Sequence, residues 1–125
     1  MWRPIFSILF FAPPLFANTL SFTCMEFIVH AEGVYLAFAE NQQSKVTETY
    51  HYNTNSQTID IAGTLLDCQN QNEIIHCKHL ESDDHFEYSW NLVIDQKKLT
   101  SNFHKVGFYA DKHHEIKTEG FCRIN

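Results

Sequence analysis

Proline stops at Pro14, and the whole chain of 125 residues holds only four glycines. Nothing after Pro14 therefore punctuates a linker between domains, and glycine is too sparse for a phosphate-cradling loop. No apolar run reaches the roughly 20 residues that a membrane-spanning helix needs. Basic residues are scarce as well: nine Lys and Arg stand against fifteen Asp and Glu, a formal net charge of −6. That balance argues against nucleic acid and against anionic membrane surfaces, both of which select basic patches. The signatures of catalysis are missing too. There is no Gly-x-Ser-x-Gly elbow, no His-Glu-x-x-His and no Cys-x-x-Cys, and none of the asparagines lies in an Asn-x-Ser/Thr sequon. A chain this short also has little material for a substrate cleft. The protein is read as a non-enzyme, with a small hydrolase the least favoured class.

What is present begins with export. Met1-Trp-Arg3 precedes an apolar run from Ile5 to Ala12, then Pro13-Pro14 and Leu15-Phe-Ala17. One basic residue, a short apolar stretch, a helix-breaking pair and a small terminal residue are the parts of a secretory signal peptide, with cleavage expected after Ala17. Ser21-Phe22-Thr23 lacks the small residue before Cys24 that lipoprotein processing requires, so no membrane anchor is expected. Residues 18–125 then form one domain with 8 basic against 15 acidic side chains, a net charge of −7. A secreted or periplasmic location follows.

The four cysteines, Cys24, Cys68, Cys77 and Cys122, all lie in that domain. An even count in an exported chain implies two disulfides, and three pairings are possible. Cys68–Cys77 is favoured because it would staple a hairpin, and Cys24–Cys122 because it would tie the two ends together. In the chain-entropy picture the first contributes about 2.5 to 3 kcal/mol and the second about 4.7.

The best-specified element is His85 to Ile94, where Phe86, Tyr88, Trp90, Leu92 and Ile94 alternate with mostly polar residues. A strand repeats every two residues, so five large apolar side chains share one face of a sheet. Lys45 to Tyr52 and Leu99 to Tyr109 read as further strands, the latter bent at Gly107. Thr58 to Leu66 reads as one strand with a bulge or bend at Gly63, and Cys68 to Cys77 as a hairpin tip. Leu20 to Ala39 reads as two apolar strands joined by a turn at Gly33, with a single helix as the competing reading. Turn signals recur at about 8 to 12 residues, the rhythm of an all-β fold. The expected architecture is a small antiparallel barrel or sandwich, stapled by two disulfides. Most aromatics beyond the leader are needed to fill its core.

Eight histidines are the compositional outlier. The densest patch in sequence is His76-x-x-His79 with His85, Asp83 and Asp84 nearby, a candidate zinc or copper site, though the two histidines converge only if the chain turns between them. The leading functional expectation is a binding module for a protein partner or a small apolar ligand, with no resident cofactor. Its acidity suits inhibition of a basic enzyme. Metal binding or buffering through His76, His79 and His85 is the alternative.

Overall fold

The computed structural model describes residues 18–41 and 45–125, so the expected signal segment, residues 1–17, lies outside the described residues. Eight strands follow in chain order: β1 (Thr19–Glu32), β2 (Lys45–Asn53), β3 (Thr58–Ile61), β4 (Thr64–Gln71), β5 (Ile74–Ser82), β6 (Phe86–Asp95), β7 (Thr100–Tyr109) and β8 (Lys112–Ile124). Each strand pairs antiparallel with the next, and β8 pairs back onto β1, closing a barrel. A barrel rather than a sandwich is therefore the form that the all-β pattern takes. No helix among the described residues is long and apolar enough to cross a membrane.

Alternation along each strand decides which side chains enter the barrel. Phe22 and Cys24 on β1, Tyr50 and Tyr52 on β2, Ile59 on β3 and Leu66 and Cys68 on β4 are buried inside. Ile75 and Cys77 on β5 and Trp90, Leu92 and Ile94 on β6 complete the cluster, so the expected register of β6 is the observed one. In an eight-stranded barrel the interior is just wide enough for side chains to fill it. These twelve residues fill one end.

Both disulfides join residues directly opposed on neighbouring strands, Cys24–Cys122 between β1 and β8 and Cys68–Cys77 between β4 and β5, each with Cα atoms 4.0 Å apart. This is the favoured pairing. Two intact disulfides fit an oxidising, extracellular compartment.

Short turns connect the strands. Ala62-Gly63, Asn72-Glu73 and Ala110-Asp111 are two-residue loops with positive φ at both positions, the backbone twist that two-residue hairpins favour. Longer turns are held by side-chain acceptors: Asn53 Oδ1 takes the N–H groups of Asn55 and Ser56, and Asp95 Oδ1 those of Lys97 and Lys98. Those N–H groups hold the Asp95 carboxyl below the usual range.

Two expectations are corrected. Thr58 to Leu66 is not one strand: the chain reverses at Ala62-Gly63, and β3 pairs with β4. The segment after Gly33 is not a strand either, for Tyr35–Asn41 forms a short helix, α1. Leu36, Ala37 and Ala39 are good helix formers, and Gly33, with φ of 66°, turns the chain out of β1. A Cβ on Gly33 would collide with the His114 ring, while the Val34 N–H donates to His114 Nδ1 at 3.0 Å. These contacts seat α1 at the end of the barrel opposite the packed core. Gly107 has a steric role, because a Cβ there would strike the Glu87 carbonyl oxygen on β6.

Trp90 is 8% exposed, donates its indole N–H to Glu81 at 3.0 Å and packs edge-on against Phe103. Trp90→Ala is expected to cost about 3 to 5 kcal/mol in urea unfolding of the oxidised protein, as large-to-small core changes do. A loss below about 1 kcal/mol would place the side chain outside the core.

Candidate functional site

The outer face of β1, β7 and β8 carries a group of ionisable side chains that the alternation of β1 alone would not assemble. Glu26 and Ile28 follow the inward parity of Phe22 and Cys24, so His30 would be expected inside as well. The register between β1 and β8 shifts between Ile28 and His30, leaving Val29 as an extra residue in β1. A bulge of this kind re-aims the side chains beyond it. After it, His30 pairs with Lys117 and Glu32 with Glu115, so His30 and Glu32 turn outward. β8 adds His113 two residues before Glu115 on the same face, and β7 adds His104, which pairs with Lys117.

Five side chains meet there. His30 Nε2 lies 2.8 Å from Glu32 Oε1 and 3.6 Å from Glu115 Oε1. His104 Nε2 lies 2.6 Å from Glu115 Oε2. His113 reaches both acids, with Nδ1 3.0 Å from Glu32 Oε2 and Nε2 3.6 Å from Glu115 Oε1. Hydrogen bonds from His113 and then His30 hold the Glu32 carboxyl below its ordinary range. Glu115 stands at the centre, contacted by all three imidazoles. Among the described residues, the group of three ligating atoms lying within 4.8 Å of one another is His30, Glu32 and Glu115.

The histidines singled out by sequence density are placed differently. His76 is exposed on the outside of β5, whereas His79 points inward against Trp90, their rings 6.2 Å apart and nearly perpendicular. His85 lies in the turn before β6, its backbone N–H bound by Asp83 Oδ1. The chain runs straight through β5, so His76 and His79 stay on opposite faces. His-x-Glu was the signal that sequence density passed over: His30-Ala-Glu32 and His113-His-Glu115 each place both ligands on one side of a strand.

The interior is polar beyond the packed core. Lys105, inward on β7, holds its ammonium 4.0 Å from the Trp90 ring centre and 4.8 Å from that of Tyr88. Burial pulls its pKa down, opposed by Glu81. Closer to β1, the buried Glu26 carboxylate accepts the Tyr50 hydroxyl at 2.8 and 3.0 Å and the Ser101 hydroxyl at 2.7 Å. Burial nonetheless pushes the Glu26 pKa up, outweighing the hydrogen bonds from Ser101 and Tyr50. Comparison with protein-family models, curated proteins and solved structures finds no match.

A pH dependence follows from Glu26. Its folded pKa stands above the ordinary value of 4.5, so the stability it contributes is present below that value and lost as pH rises through the folded pKa. Glu26→Gln does not titrate. Urea unfolding at about pH 4 and about pH 7.5 should show the variant gaining stability relative to wild type at the higher pH. An unchanged difference would mean that Glu26 ionises in the fold as easily as in water.

Proposed function

We propose that this chain is an exported binding module, secreted or periplasmic, whose ligand is a divalent transition metal ion, zinc or copper. The ligands are His30, Glu32 and Glu115, whose ligating atoms lie within 4.8 Å of one another, while His113 and His104 hydrogen-bond the two acids. The convergence of His30, Glu32 and Glu115 across the bulged seam between β1 and β8 carries this reading. Ligand atoms around a tetrahedral ion with bonds near 2.0 to 2.1 Å stand about 3.3 Å apart. His30 Nε2 lies 2.8 Å from Glu32 Oε1 and 3.6 Å from Glu115 Oε1, separations that bracket that spacing. Exposed ion pairs contribute at most about 1 kcal/mol each to a fold, which makes stability a weak reason to gather five such groups. Imidazole and carboxylate ligands suit zinc and copper over calcium or magnesium.

Calorimetric titration with Zn(II) at about pH 7.5 tests this reading, and one ion per chain is expected. His113→Ala and Glu115→Gln should each weaken binding by about tenfold or more, while His76→Ala and His85→Ala leave it unchanged. Protons compete for imidazole, so affinity should also fall at about pH 5.5. Absence of binding, or sensitivity to His76 and His85 instead, would overturn the assignment.

A protein partner is a second reading, favoured by Met25, Phe27 and Phe121 on the outward faces of β1 and β8. Phe121 is 70% exposed and stands opposite Met25. An exposed aromatic among apolar neighbours is the kind of anchor that dominates interfaces. The net charge of −7 over residues 18–125 suits a basic enzyme as the partner, with inhibition as the consequence. Titration against cationic secreted enzymes, wild type beside Phe121→Ser, should give a complex that the variant weakens; equal binding by both would remove this face from the interface.

A further inference from the structure

The wall of the barrel has a gap on one side. β2 pairs with β1 along its whole length, from Lys45 to Asn53, yet pairs with β3 only through Tyr52 and Asn53. β3 ends at Ile61 and the chain reverses there, so the β3–β4 hairpin leaves the first half of β2 as an edge. At the end of β2 the Asn53 carbonyl accepts the Gln57 N–H on the β3 side, and the Thr54 N–H donates to the Asn18 carbonyl on the β1 side. Backbone groups alternate sides along a strand, so the N–H and C=O groups of Thr47 and Thr49 point into the gap. No strand pairs with them there among the described residues, and α1 packs on β1 and β8. An edge of this kind is a template for pairing with another chain.

Beside this edge lies a cavity of about 100 Å³, walled by Val46, Glu48 and Tyr50 of β2, by Ile61 at the hairpin tip, and by Phe103 and Ile116 across the interior. Its surface is almost wholly apolar. The neighbouring Glu26 oxygens are turned to the Tyr50 and Ser101 hydroxyls, and the Thr118 hydroxyl is inaccessible. Water occupies about 30 Å³, so the volume is about that of three waters or of one aliphatic side chain, and apolar walls favour the side chain. The edge also carries an unanswered charge. Lys45, outward at the start of β2, is exposed and makes no ion pair among the described residues.

We propose that this edge receives an extended peptide segment of a partner protein, which adds a strand to β2 and seats one aliphatic side chain in the cavity. An extended backbone offers donors and acceptors at the spacing of Thr47 and Thr49, and main-chain pairing combined with a side-chain pocket is how sheet edges recognise peptides. Antiparallel pairing, as in the rest of the barrel, turns the residue opposite Val46 inward over the cavity and sets the residue after it outward, opposite Lys45. The geometry therefore selects an aliphatic residue followed by an acidic one. A second copy of this chain fits poorly, because its strands already turn their inward side chains into their own barrel. Two β2 edges paired through Thr47 and Thr49 would also oppose Glu48 to its own copy, and like charges directly opposite are destabilising. This site is separate from the outer histidine group and from the Phe121 face, and depends on neither.

The probe is acetyl-Thr-Ser-Thr-Leu-Asp-Thr-Ser-amide, titrated to millimolar concentration into the oxidised protein and followed by amide chemical shifts. Saturable shifts are expected from Lys45 to Tyr50 and at Ile61. Alanine in place of the leucine should weaken binding by about tenfold or more, and asparagine in place of the aspartate by a few fold. N-methylation of the two residues flanking the leucine, whose N–H groups face β2 in this pairing, should abolish binding, whereas N-methylation of the leucine itself, whose N–H faces away, should leave it within a few fold. Thr49→Pro removes a donor on the open side of β2 and spares the β1 ladder, as edge prolines do, and should abolish binding as well. Absence of saturable shifts, equal binding of the leucine and alanine peptides, indifference to the flanking N-methyl groups, or undiminished binding by folded Thr49→Pro overturns the proposal, and the peptide series does so even if that variant fails to fold. Shifts at the same amides that follow protein concentration without peptide would assign the edge to a second copy and overturn it equally.

Discussion

The pairing of β8 with β1 is the constraint on which the rest of the molecule depends. Ten residue pairs close the barrel there, from Phe22 opposite Ile124 to Glu32 opposite Glu115, and the Cys24–Cys122 disulfide lies inside that seam. Closure pairs the edge of β1 with that of β8, which would otherwise both be open to pairing with another chain. It also ties residues near the two ends of the described chain into one hydrogen-bonded ladder. The extra residue at Val29 interrupts the seam once, and the two sides of that interruption have different chemistry. Before it, the inward side chains of β1 are Phe22, Cys24 and Glu26; after it, His30 and Glu32 face solvent beside Glu115. One bulge thus separates an interior carboxylate from an exterior cluster.

The interior is graded in the same direction. The end lined by Phe22, Ile59, Leu66, Ile75, Leu92 and Ile94 is fully buried and apolar. Towards α1 the inward positions become Glu26, Glu48, Glu81, Lys105 and His114, and every one of them must find a polar partner or an aromatic face. Lys105 finds Trp90 and Tyr88, Glu81 accepts the Trp90 N–H, and Glu26 accepts two hydroxyls. A packed end gives the barrel its stability, and a polar end leaves room for selectivity. The cavity of about 100 Å³ beside Val46, Ile61, Phe103 and Ile116 is well below the roughly 300 Å³ at which pockets for drug-sized ligands begin.

Much of this was legible in the residues. Strict alternation from Phe86 to Ile94 identified the inward face of β6, and the cysteine spacing favoured the observed pairing, because a nine-residue separation fits a hairpin staple. The helix after Gly33 was not legible from apolar content, since Val34 to Ala39 carries apolar residues on both parities and fits either period. The histidine group was hidden for a different reason. Its members come from positions 30, 104 and 113, and only closure of the barrel brings β1 against β8. Even then, the parity of His30 depends on a bulge at Val29 that no glycine marks. Density along the sequence favoured His76 and His79 instead, although residues three apart on an uninterrupted strand face opposite ways.

The most direct measurement is anomalous diffraction at the zinc edge from crystals of the oxidised protein grown with Zn(II). A single strong peak is expected on the outer face of the seam between β1 and β8, within bonding distance, about 2.0 to 2.1 Å, of His30 Nε2 and of carboxylate oxygens of Glu32 and Glu115. A peak at His76, His79 or His85, or zinc spread over scattered surface histidines with none at Glu115, would contradict the claim that the bulged seam builds a metal site.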